Sequence, residues 1–212
     1  IIFNPYFFWG VTLGSFILTI ILAEIFARVL LSKPRSVNPY KFVLTKDVVN
    51  EKLSLLNTNL TNLKYELINT DKLDNGNVSI YNRTTMRYNS FILVYEISEL
   101  SKKNITNLED YIERFYNDNY PKKKVYTGNY FDPYSYIMHY SKLIIVDKMN
   151  EDTQNLVKDS IMNLPEFTYL TAVLDKKESK LYIAKIRTDI GSGDFKMQSK
   201  EIKELFDLNK KK

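Results

Sequence analysis

The sequence predicts an α+β fold, in which one N-terminal transmembrane helix precedes a domain with a mostly antiparallel sheet and about four helices. Two observations support this. No charged residue occurs before Glu24, and beyond Pro39 the strand-like segments come in clusters with amphipathic segments between them, which is typical of α+β proteins. The chain has 212 residues, of which 44% are hydrophobic and 26% charged. That is enough for one ordinary domain with its own core.

The first element is an apolar segment that indicates a single-pass membrane anchor at residues 1–32. A helix over residues 6–31 would cover the ~30 Å hydrocarbon core of a bilayer. Trp9 stands in an aromatic cluster typical of the membrane interface, and Glu24 and Arg28 are spaced to pair at the other end. We therefore expect an integral membrane protein of the mitochondrial inner membrane or the bacterial cytoplasmic membrane.

Two alternatives to the anchor remain open on the sequence alone. One is a buried helix of a water-soluble protein, although such a helix would show a polar stripe. The other is a cleaved secretory peptide, which usually has a shorter apolar region of ~7–15 residues. Basic residues after the apolar run favour the matrix or cytoplasmic side for the domain. They are Arg28, Lys33, Arg35, Lys41 and Lys46.

Small residues recur along the apolar segment and indicate a surface for helix packing. Small side chains let two helices approach closely, which is how helices associate in apolar surroundings. The predicted packing residues are Gly10, Gly14, Ser15, Thr19, Ala23 and Ala27.

The remaining chain divides into a linker at 33–45, a domain at 46–208 and a basic tail at 209–212. Pro34 and Pro39 break any helix in the linker. Thr45 is a suitable N-cap for a helix at about 46–57. Strands are predicted at 63–68, 78–88 and 90–97, with a turn at Asp74–Asn77.

In the second half, a capping box at Thr106–Glu109 predicts a helix over about 107–117. Strands follow at 125–127 and 136–146, and a helix at about 151–163. The segments 167–174 and 180–187, joined by a short polar turn, predict a hairpin. A Gly-containing loop at 188–194 and a final amphipathic helix at about 197–207 complete the domain.

The composition excludes several kinds of chemistry. Cysteine is absent, which removes disulfides, thiolate metal sites and cysteine nucleophiles, and His139 is the one histidine. No catalytic motif accompanies His139, so we interpret it as a structural or surface residue. The Gly191–Asp194 loop lacks a phosphate-binding fingerprint. The paired carboxylates are interpreted as solvated charge, and no catalytic residue, metal site or cofactor is predicted. These pairs are Asp110 with Glu113, Glu151 with Asp152, and Glu201 with Glu204.

By elimination, the sequence favours a non-catalytic accessory or scaffold subunit of a larger membrane complex. The helix would pack against other membrane subunits, and the domain would dock on neighbours through a sheet edge or a helix face. The alternative is a membrane-tethered binding module for nucleic acid or anionic lipid headgroups, with nucleic acid the less favoured ligand. Net charge is +5. The best candidate patch for an anion or a partner is Lys122, Lys123 and Lys124.

Overall fold

The computed structural model describes residues 12–23, 36–84, 88–119, 137–149, 152–159, 162–163, 167–186 and 192–208. Helix α1 covers 12–23. The other elements are β1 (Ser36–Val43), α2 (Lys46–Ser54), α3 (Leu56–Asn62), β2 (Glu66–Leu73), β3 (Gly76–Thr84), β4 (Tyr88–Leu100), α4 (Lys102–Asn119), β5 (Ile137–Met149), α5 (Thr153–Asp159), β6 (Met162–Asn163), β7 (Phe167–Asp175), β8 (Lys180–Ile186) and α6 (Ser192–Leu205).

The strands form one mixed sheet, which corrects the prediction of a mostly antiparallel one. The order is β1-β8-β7-β5-β4-β3-β2, and the short β6 pairs with β7. The central pairs β4–β5 and β5–β7 are parallel, whereas β1–β8, β7–β8, β3–β4 and β2–β3 are antiparallel. In the chain, α4 lies between β4 and β5, and α5 lies between β5 and β7. Parallel neighbouring strands need such a crossover connection, and the sheet is therefore mixed.

The central strands are apolar because both of their faces are covered. Side chains alternate between the faces along a strand. In β5, Lys142 bonds to Glu109 of α4, whereas Gln198 of α6 bonds to the Tyr140 carbonyl from the opposite side. Helices therefore lie on both faces of the sheet. Leu143 lies on one face and Ile144 on the other, and both are buried. A strand covered on both faces shows a continuous hydrophobic run.

Helix α1 corrects the predicted membrane anchor. Among the described residues, no helix is both long enough and apolar enough to cross a bilayer. This contradicts the prediction of a single-pass transmembrane anchor at 1–32, and with it the integral localisation in a mitochondrial or bacterial membrane.

The start of the domain also differs in detail from the sequence prediction. Part of the stretch interpreted as a linker is strand β1, where Pro39 lies at a register shift between Val37 and Tyr40. An edge strand tolerates proline at such a position. The predicted helix at 46–57 is two helices, α2 and α3, because the chain turns at Leu55. The predicted strand at 125–127 lies outside the described residues.

Candidate functional site

Helix α1 is the most unusual surface of the described chain. Every one of its residues is exposed, although most of them are apolar. Phe16 is 64% exposed and Leu18 is 57% exposed. Contiguous apolar surface of this kind usually marks an interaction site.

Two hydroxyl groups on α1 already have hydrogen-bond partners within the helix. Ser15 Oγ donates to the Thr12 carbonyl at 2.9 Å, and Thr19 Oγ1 donates to the Ser15 carbonyl at 2.8 Å. A hydroxyl bonded in this way can enter apolar surroundings without losing a hydrogen bond. The polar side chains of α1 are therefore compatible with complete burial.

The structure places four of the predicted packing residues on α1. At about 100° per residue, Ser15, Thr19 and Ala23 fall within an arc of about 80°, and Gly14 lies about 100° from Ser15. A Cβ added at Gly14 would meet no atom within 4 Å. Other predicted positions lie outside the described residues. They are the packing residues Gly10 and Ala27, the interface residues Trp9, Glu24 and Arg28, and the candidate patch Lys122, Lys123 and Lys124.

A buried polar cluster joins α6 to the sheet on one face. Arg83 of β3 forms an ion pair with Glu201 of α6, and its guanidinium lies 4.7 Å from the centroid of the Tyr65 ring. Tyr65 donates a hydrogen bond to Glu201 at 2.8 Å. Burial, assisted by the Glu201 charge, raises the pKa of Tyr65 well above its usual value. Glu201 is buried, so the sequence interpretation of this carboxylate as solvated charge is wrong.

His139 lies in the same face of the sheet as this cluster. It is opposite Ser90 on β4 and Thr168 on β7, and both His139 and Ser90 are buried. Chemistry at a histidine requires access for a substrate. The position of His139 in the packed interior favours a structural role.

A second ion pair, between a buried lysine and a partly exposed glutamate, joins α4 to the opposite face. The Lys142 side chain is completely buried, and its Nζ lies 2.5 Å from Glu109 Oε1 and 5.4 Å from the centroid of the Tyr169 ring. Burial lowers the pKa of Lys142, and the Glu109 carboxylate opposes that shift. The aromatic rings of Phe91, Tyr140 and Tyr169 stack beside it.

Sequence reasoning missed both ion pairs for the same reason. Lys142 stands among apolar residues in a strand that is covered on both faces. This pattern is the one sequence signal that its charge needs a partner. Its partner Glu109 was assigned only to a capping box, and Arg83 lies 118 residues from Glu201. No local pattern connects residues so far apart.

Within the described part of the chain, no group of three or more His, Cys, Asp or Glu side chains is placed to hold a metal ion. No known protein family, curated protein or solved structure matches the chain.

Proposed function

We propose that the chain is a non-catalytic accessory or scaffold subunit of a larger protein assembly. In this proposal, apolar helices of partner subunits enclose α1, and the sheet domain provides the rigid body that α1 fixes in place. The observation that carries the proposal is the exposure of every α1 side chain. A helix that is apolar around its whole circumference belongs in a buried environment.

The distribution of large side chains favours enclosure over a simple pair of helices. Phe16 and Leu18 lie about 160° apart on one side of the helix, and Ile17 lies midway along the remaining arc of about 200°. A single partner helix would cover one side and leave the opposite side in water. We therefore expect partner contacts on all sides of α1.

The free energy available from burying α1 is of the same order as the cost of association. Seven large apolar residues of α1 are about half exposed, so burying the rest of each side chain contributes about half of the 1.5–3 kcal/mol for complete burial. Association costs an estimated 4–15 kcal/mol in lost translational and rotational freedom. The exposed residues are Leu13, Phe16, Ile17, Leu18, Ile20, Ile21 and Leu22.

A second surface that fits this role is the edge strand β2. It is the last strand of the sheet in the described chain, and both Leu67 and Ile68 are exposed on it. An edge strand presents unpaired backbone N–H and C=O groups, and a strand of another chain can pair with them to extend the sheet. The bulge between Leu67 and Asn69 limits unspecific pairing. We expect β2 to contribute to docking less than α1 does.

The proposal is tested by placing a charge on opposite sides of α1 in the full chain. Phe16→Glu and Leu18→Glu should each release the chain from its assembly, because either charge would be buried without a partner. Native mass spectrometry of the affinity-purified complex measures the mass of the assembly and the stoichiometry of its subunits.

Val43→Glu is the matched control, since Val43 is an apolar residue of β1 that is 73% exposed. It should leave the assembly intact. If only one side of α1 is sensitive, the enclosure is wrong and a two-helix contact replaces it. If neither variant changes the mass of the complex, α1 does not mediate assembly.

A further inference from the structure

Two lysine ammonium groups converge on one exposed tyrosine at the β1 edge of the sheet. Lys203 Nζ of α6 lies 4.3 Å from the centroid of the Tyr40 ring, and Lys185 Nζ of β8 lies 4.9 Å from the same centroid. Lys203 also lies 5.8 Å from the ring of Phe42. Tyr40 is 38% exposed. Both ammonium groups therefore contact the same ring through cation–π interactions.

In the described part of the chain, neither of these two lysines forms an ion pair. Three carboxylates of α6 and the turn after it bind other cations. Glu201 binds Arg83, Glu204 lies 3.7 Å from Lys200, and Asp207 lies 2.5 Å from Lys52. Among the described residues, no carboxylate neutralises Lys185 or Lys203.

We infer that Tyr40, Lys185 and Lys203 form a binding site for a phosphate group carried as a phosphomonoester. Each ammonium offers three hydrogen-bond donors, and two ammonium groups match the charge of about −1.5 to −2 on a phosphomonoester. A phosphodiester carries one charge and would neutralise half of the pair. Tyr40 is a positioning residue, because its ring keeps the two lysines together.

This site does not depend on α1 or on the proposed assembly. It is also distinct from the sequence-based candidate Lys122, Lys123 and Lys124, which lies outside the described residues. A phosphomonoester can belong to a soluble molecule or to a lipid headgroup, and both present the same chemistry to the two lysines. A soluble nucleotide and lipid vesicles, used as separate probes, distinguish these sources.

The test is protection of lysines from an amine-acetylating reagent, with mass spectrometry of each modified lysine in the full-length protein. The probes are adenosine 5′-monophosphate, its 3′,5′-cyclic diester, and phosphatidylcholine vesicles that contain phosphatidic acid. At constant ionic strength, the monoester should protect Lys185 and Lys203, and the cyclic diester should protect them much less. Lys200, which is paired with Glu204, should react equally with and without the probes.

Charge removal gives the matched comparison. Lys185→Gln and Lys203→Gln should each weaken binding of adenosine 5′-monophosphate about tenfold, because each removes a charged hydrogen-bond donor. Tyr40→Leu should weaken binding by releasing both lysines. Lys200→Gln, a neutralisation on the same helix, should leave the affinity unchanged.

The outcomes separate the site from general attraction between opposite charges. Protection by the nucleotide identifies a soluble ligand, and protection by the vesicles alone identifies a lipid headgroup as the source of the phosphate. Equal protection by monoester and diester would overturn the inference. So would a loss of affinity in Lys200→Gln as large as that in Lys203→Gln, or no protection by any probe.

Discussion

At the scale of single residues, the interior is organised around charges that are buried with partners. Lys142 with Glu109 fixes α4, and Arg83 with Glu201 fixes α6, on opposite faces of the sheet. Removing one partner of such a pair leaves an uncompensated charge, which typically costs 3–5 kcal/mol, about as much as a large cavity. These contacts therefore determine where the two helices sit.

Tyr169, beside Lys142, gives a prediction about alkaline pH. Burial, followed by the charges of Glu109 and Glu113, raises the pKa of Tyr169 to about 12, against about 10 in an unfolded chain. The folded protein thus favours the neutral phenol. This contribution to stability is fully present below pH 10 and is lost as the pH rises from about 10 to about 12, at up to 1.4 kcal/mol per unit.

Tyr169→Phe should remove that contribution, because phenylalanine does not ionise. The measurement is the free energy of unfolding in urea for both proteins at several pH values between about 9 and 12. The free energy of unfolding of the wild-type protein should fall relative to that of Tyr169→Phe only above about pH 10. A difference between the two proteins that does not change with pH would contradict the assigned cause.

At the scale of elements, the sequence predicts strands and helices better than their connections. The apolar face predicts α4, but the capping box is wrong, because the helix begins at Lys102 and Thr106 lies within it. Strands β5, β7 and β8 are found where their apolar runs lie. The parallel pairing of β5 with β4 and β7 cannot be derived this way, because a buried run looks the same in a parallel and an antiparallel sheet.

The β2–β3 hairpin shows what a turn signal can and cannot predict. Asp74–Asn77 was predicted as a turn, and the loop consists of Asp74 and Asn75, with a φ of 51° at Asp74. Gly76, however, is required for packing. A Cβ at this position would lie 2.5 Å from the Glu96 carbonyl oxygen and 2.6 Å from a ring carbon of Tyr95. The sequence pattern gives no information about that close approach.

Gly76→Ala should therefore destabilise the domain by about 1–3 kcal/mol, since the strand backbone at Glu96 must shift to make room. Gly14→Ala is the matched control, because its Cβ would meet nothing within 4 Å. Since alanine is the better helix former, this variant should keep the stability of the wild type or gain up to about 1 kcal/mol. Urea denaturation followed by circular dichroism measures both. If Gly76→Ala is as stable as Gly14→Ala, the β3–β4 contact is looser than described.

At the scale of the whole molecule, a well-packed α+β domain is combined with one helix whose side chains remain exposed. The sequence predicts an apolar helix over residues 6–31, of which 12–23 are described and helical, but its conclusion of a membrane-spanning anchor is wrong for the described residues. Hydropathy measures how strongly a segment avoids water. It does not identify what covers the segment, so the sequence alone cannot distinguish lipid from the partner subunits that we propose.

The central claim is that partner subunits enclose α1 on all sides, and cysteine accessibility tests it most directly. The chain contains no cysteine, so one thiol can be introduced at a time at Leu13, Phe16, Leu18 or Ile20. Reaction with a water-soluble maleimide is then followed in the purified intact assembly, with Val43→Cys as the exposed reference. All four α1 thiols should react far more slowly than Cys at position 43, whichever side of the helix they occupy. Labelling of any side of α1 as fast as the reference would contradict the enclosure.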